Sequence, residues 1–190
     1  MTTPEPVATA ALSRARRAYE RAQVLAGLRG VVAAAVLCVV AFALHDVTPT
    51  AQLVAGALAI TLGVLGWRGG AWRRGSFAGV LAGLPPLVAP WLVFALTHHG
   101  RIAHCPACDG APTLGCVVTC FTTSTAVGIL VGLRAMQDRS PLRFAAAALV
   151  AAAFTGALAC ATTGLGGAVG VIVGLAAGGA TGWALARRTA

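Results

Sequence analysis

Lysine is absent from this 190-residue chain, which holds only five acidic residues and a single tyrosine, Tyr19. Charged side chains make up 10% of the sequence, where a soluble domain carries roughly 25%. So little polar surface excludes an ordinary water-soluble globular fold. Long polar segments are also missing, so no separate soluble catalytic domain fits. No ionisable side chain falls deep inside an apolar run, which disfavours an ion-coupled transporter or an intramembrane protease. No glycine-rich phosphate loop is present, and the basic loops are too short for specific nucleic-acid recognition. The first twenty residues hold no uninterrupted apolar core with a cleavage site behind it, the pattern of a secretory signal. These absences argue against an enzyme.

What remains is 58% hydrophobic with a mean hydropathy of +0.84. A hydrocarbon core of about 30 Å takes about 20 apolar helical residues, and six runs approach that length: 24–44, 51–67, 77–97, 115–136, 142–160 and 163–186. The expected fold is all-α, a bundle of six transmembrane helices. A segment 1–23 precedes it, an outer loop 98–116 joins the third and fourth helices, and a tail 187–190 follows. Pro85, Pro86 and Pro90 predict a kink in the third helix. Ser140-Pro141 predicts the start of the fifth, with serine as cap and proline in the first turn.

Arginine sets the orientation, because loops on the cytoplasmic side of a membrane carry the excess of positive charge. Arg14, Arg16, Arg17, Arg21 and Arg29 flank the start of the first helix. Arg68, Arg73 and Arg74 fall between the second and third helices, and Arg134, Arg139 and Arg143 between the fourth and fifth. Arg187 and Arg188 follow the sixth. Only Arg101 falls on the other side. Both termini are therefore expected in the cytoplasm and the protein in the inner (plasma) membrane, with the bilayer as its first partner.

With that topology, His45, His98, His99 and His104 all reach the outer side. So do Cys105, Cys108, Cys116, Cys120 and Cys160, while Cys38 lies within the first helix. Residues 104–120 read HCPACDGAPTLGCVVTC. Three readings stay open. Disulfide staples suit an oxidising compartment. A redox sensor could use Cys105, Cys108, Cys116, Cys120 and Cys160, since Cys116 and Cys120 share one face of the fourth helix and Cys120 lies at a depth comparable to Cys160. A zinc or copper site could draw on His98, His99, His104, Cys105 and Cys108.

Gly166, Gly170, Gly174, Gly178 and Gly182 repeat every fourth residue in the sixth helix and leave one face without side chains. That face predicts close packing within the chain, or a homodimer through helix 6. Near the N-terminus, Leu12, Ala15, Tyr19 and Ala22 recur at helical spacing opposite Arg16, Arg17, Glu20 and Arg21. This stripe reads as a short amphipathic helix, either anchored on anionic headgroups or docking a cytosolic protein through Leu12, Arg16, Arg17, Tyr19 and Glu20.

Residues 115–188 carry a family pattern. Gly115-Cys116 opens the fourth helix and Leu133-Arg134 closes it. Pro141-Leu142-Arg143 follows the inner loop, an alanine-rich helix ends at Cys160, and a glycine-rich helix closes on Arg187-Arg188. In these features the chain resembles the NrsF-type family of six-helix inner-membrane anti-sigma factors. The resemblance implies a protein that holds an extracytoplasmic-function sigma factor at the membrane and releases it on an outer signal. It implies that Cys116 or Cys120, together with Cys160, takes part in sensing. The chain departs from the family at Ala161-Thr162-Thr163-Gly164, where histidine and tryptophan are usual.

Overall fold

The structure, a computed structural model, describes residues 6–44, 48–97, 114–163 and 165–189, with side chains for 11–43, 48–89, 92, 117–158, 160 and 167–188. Over these residues the chain is helical throughout: α1 (Pro6–Leu44), α2 (Pro49–Arg68), α3 (Gly70–Thr97), α4 (Leu114–Ala135), α5 (Pro141–Thr163) and α6 (Leu165–Thr189). Five of them contain stretches long and apolar enough to cross a membrane: Ala11–Ala43, Pro49–Arg68, Val117–Ala135, Pro141–Leu158 and Gly167–Arg188. The chain thus has the make-up of a multi-pass membrane protein.

Local chemistry explains the helix ends. Thr48 caps α2, its hydroxyl accepting from the Ala51 N–H at 3.2 Å, with Pro49 in the first turn. Gly69 and Gly70 adopt φ of 65° and 56°, a region other residues rarely enter. Two such residues reverse the chain without a loop. Arg73 and Arg74 therefore stand in the opening turns of α3 rather than in the interhelical segment the sequence suggested. Pro141 opens α5 as expected, with the Phe144 N–H returning to the Ser140 carbonyl at 3.0 Å.

One helix departs from expectation. Residues 6–44 form one helix of 39 residues, with no break between the amphipathic stripe and the apolar run. The prolines of α3 do not interrupt it, and Pro86 is fully buried.

The helices pack as close pairs, and small residues set those pairs. The glycine face of α6 lies on α4. A Cβ built at Gly174 would meet the Phe121 carbonyl oxygen at 2.6 Å, and at Gly178 and Gly182 it would strike the carbonyls of Thr125 and Ile129. Gly128 and Gly132 of α4 answer from the other side, facing Leu175, Gly179 and Trp183. The groove that a homodimer through helix 6 would use is thus filled by α4 of the same chain. A second ladder in α3 (Gly75, Gly79, Gly83) lies on Phe144, Ala148 and Thr155 of α5. Gly27 and Gly30 of α1 meet Gly63, Trp67 and Leu62 of α2.

Alanine-rich α5 sits between these pairs. Ala148, Ala152 and Cys160 join a core with α4 and α6 residues such as Cys120, Val127, Val171 and Leu175. Ala151 and Leu158 join a second core with Ala34 and Ala41 of α1 and Leu58 and Leu62 of α2. One helix with short side chains therefore forms the wall between two cores. Much of the remaining apolar surface, including Val36, Val39, Leu53, Ile60 and Leu130, is exposed, as lipid-facing positions must be.

Candidate thiol site and the opposite arginine end

Cys120 is the seventh residue of α4, about 9 Å in from its first residue at 1.5 Å per residue. Cys160 lies three residues before the end of α5. Because α4 and α5 run antiparallel, the two meet at the same end of the bundle. Their Sγ atoms are 3.4 Å apart, a thiol–thiol contact rather than a covalent bond. Cys120 is 0% and Cys160 1% exposed. Helix α6 closes over both sulfurs through its glycines. A Cβ at Gly167 would lie 2.8 Å from Cys160 Sγ, and one at Gly170 would lie 3.7 Å from Cys120 Cβ.

One turn further in, Ser124 is 0% exposed. Its hydroxyl is the one buried side-chain oxygen among the described residues with no hydrogen-bond partner. It faces the same helix, since a Cβ at Gly174 would meet Ser124 Cβ at 2.9 Å. The neighbouring hydroxyls are occupied. Thr123 donates to the Thr119 carbonyl at 2.7 Å, and buried Thr155 to the Ala151 carbonyl at 2.8 Å.

Cys116 is on α4, one turn before Cys120, and its side chain lies outside the described residues, as does Gly166. The expected sites at His98, His99, His104, Cys105 and Cys108 also lie outside them. Among the described residues no three histidine, cysteine or acidic side chains gather as metal ligands. Cys38 is half-buried in α1, apart from the thiol pair.

The other end of the bundle collects the arginines. Arg74 of α3 grips Asp138 in the α4–α5 turn, with Nε to Oδ2 and Nη2 to Oδ1 both at 3.0 Å. The Ser140 N–H also donates to Asp138 Oδ1 at 3.0 Å. That backbone bond, followed by Arg74, holds the Asp138 carboxyl below the ordinary aspartate range. Arg68 stacks over Trp72 at 5.3 Å and Arg187 over Trp183 at 5.6 Å, an arrangement that shields a cation beside apolar surface.

At this same end α1 outruns its partner. Ala26 and Gly27 already lie against Gly66 and Trp67, near the last residue of α2. The turns of α1 before them project past the arginine end. Leu12 is 70% and Tyr19 64% exposed there. Arg17 is exposed as well, and Arg16 pairs with Glu20 at 2.9 Å.

The sequence pointed to the cysteines and to the α6 glycines. It did not single out Ser124, the α3 ladder or the Arg74–Asp138 clamp. A four-residue spacing was visible at Gly75, Gly79 and Gly83, whereas nothing in the sequence marked Ser124 as unpartnered. No protein-family model, curated protein or solved structure matches the chain.

Proposed function

We propose that the chain is a membrane-embedded sensor and regulator of the anti-sigma-factor type. In this reading all six helices span the inner membrane, both termini and the arginine end face the cytoplasm, and the cysteine end faces outward. The observation that carries it is the thiol pair Cys120–Cys160, which joins two helices at the end opposite a projecting, partner-ready helix. A sensor needs a group that can change state on one side and a surface that can hold something on the other.

The packing supplies a route between them. A disulfide needs sulfurs about 2.05 Å apart, so bonding the pair would bring the two sulfurs, now 3.4 Å apart, closer by over 1 Å through side-chain rotation, a shift of α4 against α5, or both. Helix α4 is held on α6 backbone to backbone, so it does not move alone. Leu158, two residues from Cys160, lies in the core shared with α1 and α2. A shift of α5 would therefore be felt at α1.

The continuous α1 favours docking over anchoring. An anchor on headgroups must turn into the membrane plane, and an unbroken helix of 39 residues has no turn to do so. At about 58 Å it is roughly twice the hydrocarbon thickness. Leu12 and Tyr19, flanked by Arg16, Arg17 and Glu20, would then grip a cytoplasmic sigma factor or a similar protein.

The test is affinity purification of the full chain from its own cells, together with transcript profiling after deletion of residues 1–23. Recovery of a sigma factor and a changed set of transcripts are expected. A chain that brings down no sigma factor, and whose truncation alters no transcript, is not a regulator of this kind.

A further inference from the structure

We propose that the oxidant acting on Cys120 and Cys160 is a small neutral peroxide, received by a buried site in which the Ser124 hydroxyl is the hydrogen-bond donor. This rests on the redox reading above and names the chemistry of its signal. Two independent observations support it.

The first is access. Both cysteines are essentially unexposed, and α6 lies against them at Gly167, beside Cys160 Sγ, and at Gly170, beside Cys120 Cβ. A charged disulfide such as oxidised glutathione would have to leave water and bring its carboxylates to an apolar interhelical seam. The cost of burying an unpaired charge is several kcal/mol or more. Hydrogen peroxide is uncharged and close to water in size, so it escapes both that penalty and the steric one.

The second is the orphaned donor. A buried hydroxyl without a partner is destabilising, and native interiors keep few of them. Ser124 is such a group, on the α6-facing side of α4 one turn from Cys120. The other fully buried hydroxyl among the described residues, Thr155, is committed to its own helix. A guest with oxygen acceptors satisfies Ser124, and a peroxide offers two. The apolar wall alone would leave a thiol inert. The adjoining thiol and the Ser124 hydroxyl provide the polarity that a reaction needs.

The chemistry balances with peroxide as the only co-reactant. One sulfur attacks a peroxide oxygen, and the O–O bond breaks. The departing oxygen, hydrogen-bonded by Ser124, takes up the proton released by that sulfur and leaves as water. The resulting sulfenic acid is attacked by the second sulfur. The S–O bond breaks, the S–S bond forms, and a second water leaves with the second thiol proton. Two thiols lose two electrons, and one peroxide becomes two waters.

The experiment uses the full chain in lipid vesicles with Cys38, Cys105, Cys108 and Cys116 changed to serine. Disulfide formation is followed by intact mass, as the loss of two hydrogens. Hydrogen peroxide should close the bond at least tenfold faster than oxidised glutathione at equal concentration. Ser124→Ala should slow the peroxide reaction about fivefold or more, the worth of one hydrogen bond, and leave the glutathione rate unchanged. An unchanged glutathione rate separates loss of the donor from loss of the fold. Equal rates with the two oxidants, or a Ser124→Ala rate equal to the parent's, overturn this inference and leave the redox reading standing. If neither oxidant yields a bond, the redox reading itself falls, and the inference with it.

Discussion

Replacing Gly174 with alanine adds one methyl group where α6 touches α4. The new Cβ would lie 2.6 Å from the Phe121 carbonyl oxygen, 2.9 Å from Ser124 Cβ and 3.2 Å from the Thr125 nitrogen. Ordinary contact begins near 3.4 Å, so the two backbones must part by about 0.8 Å. A gap of that size forfeits a quarter to a half of each dispersion contact along the seam. Overpacking of this kind costs about 1–3 kcal/mol. Alanine returns about 1 kcal/mol through its better helix propensity, so the net loss should be about 0–2 kcal/mol, and about 1–3 kcal/mol against a control that keeps only the propensity gain. Gly56→Ala is the matched control. Gly56 is exposed in the middle of α2, and a Cβ there meets nothing within 4 Å. It should keep the propensity gain and lose nothing. Both variants are compared by reversible unfolding, titrating a denaturing detergent into protein held in a mild one. A Gly174→Ala chain as stable as Gly56→Ala would refute the claim that α6 meets α4 through this face.

Three further outcomes are expected. In oxidised membranes, Cys120→Ser and Cys160→Ser should each abolish the α4–α5 cross-link. Cys116→Ser should leave it in place, as read by cleavage between the helices and non-reducing electrophoresis. Asp138 has a depressed folded pKa, so its contribution is complete above the ordinary aspartate value and fades as pH falls through the lower, folded one. The stability gap between the native chain and Asp138→Asn should therefore close below about pH 4; a gap that widens there would contradict the Arg74 clamp. Deleting residues 6–23 removes turns of α1 that are exposed over 11–22, so the thermal midpoint should stay within about 2 °C while any captured cytoplasmic protein is lost.

The number of helices was legible in the sequence because each shows as an uninterrupted apolar run, whereas the starts of α1 and α3 were not. At the junction of α2 and α3, Gly69-Gly70 looked like ordinary loop glycine, and only their paired positive φ values show that no loop is needed. The α6 repeat declared a bare face but not its occupant, because close packing depends on which neighbour offers a matching surface. Gly128 and Gly132 supply it, and they sit among valines and leucines where two glycines attract no notice. Cys116 and Cys120 were equivalent by spacing. The structure brings Cys120 against Cys160, which depends on the axial register of α4 against α5, and no local pattern encodes that. The continuity of α1 was hidden by its change from amphipathic to wholly apolar, which resembles a boundary although helix propensity carries through it.

The pairing order of the helices bears on how the chain is made. Helix α3 finds its close partner in α5, and α4 finds its own in α6. The two pairs are interleaved along the chain. As the ribosome delivers the helices in turn, α1 and α2 can settle as a hairpin at once. Neither α3 nor α4 meets its glycine-matched surface until a helix two places later has arrived. Until then the first four helices keep those faces without their matched partners. A chain cut short after α5 would strand α4 in that condition, with Cys120 uncovered by the helix that closes over it.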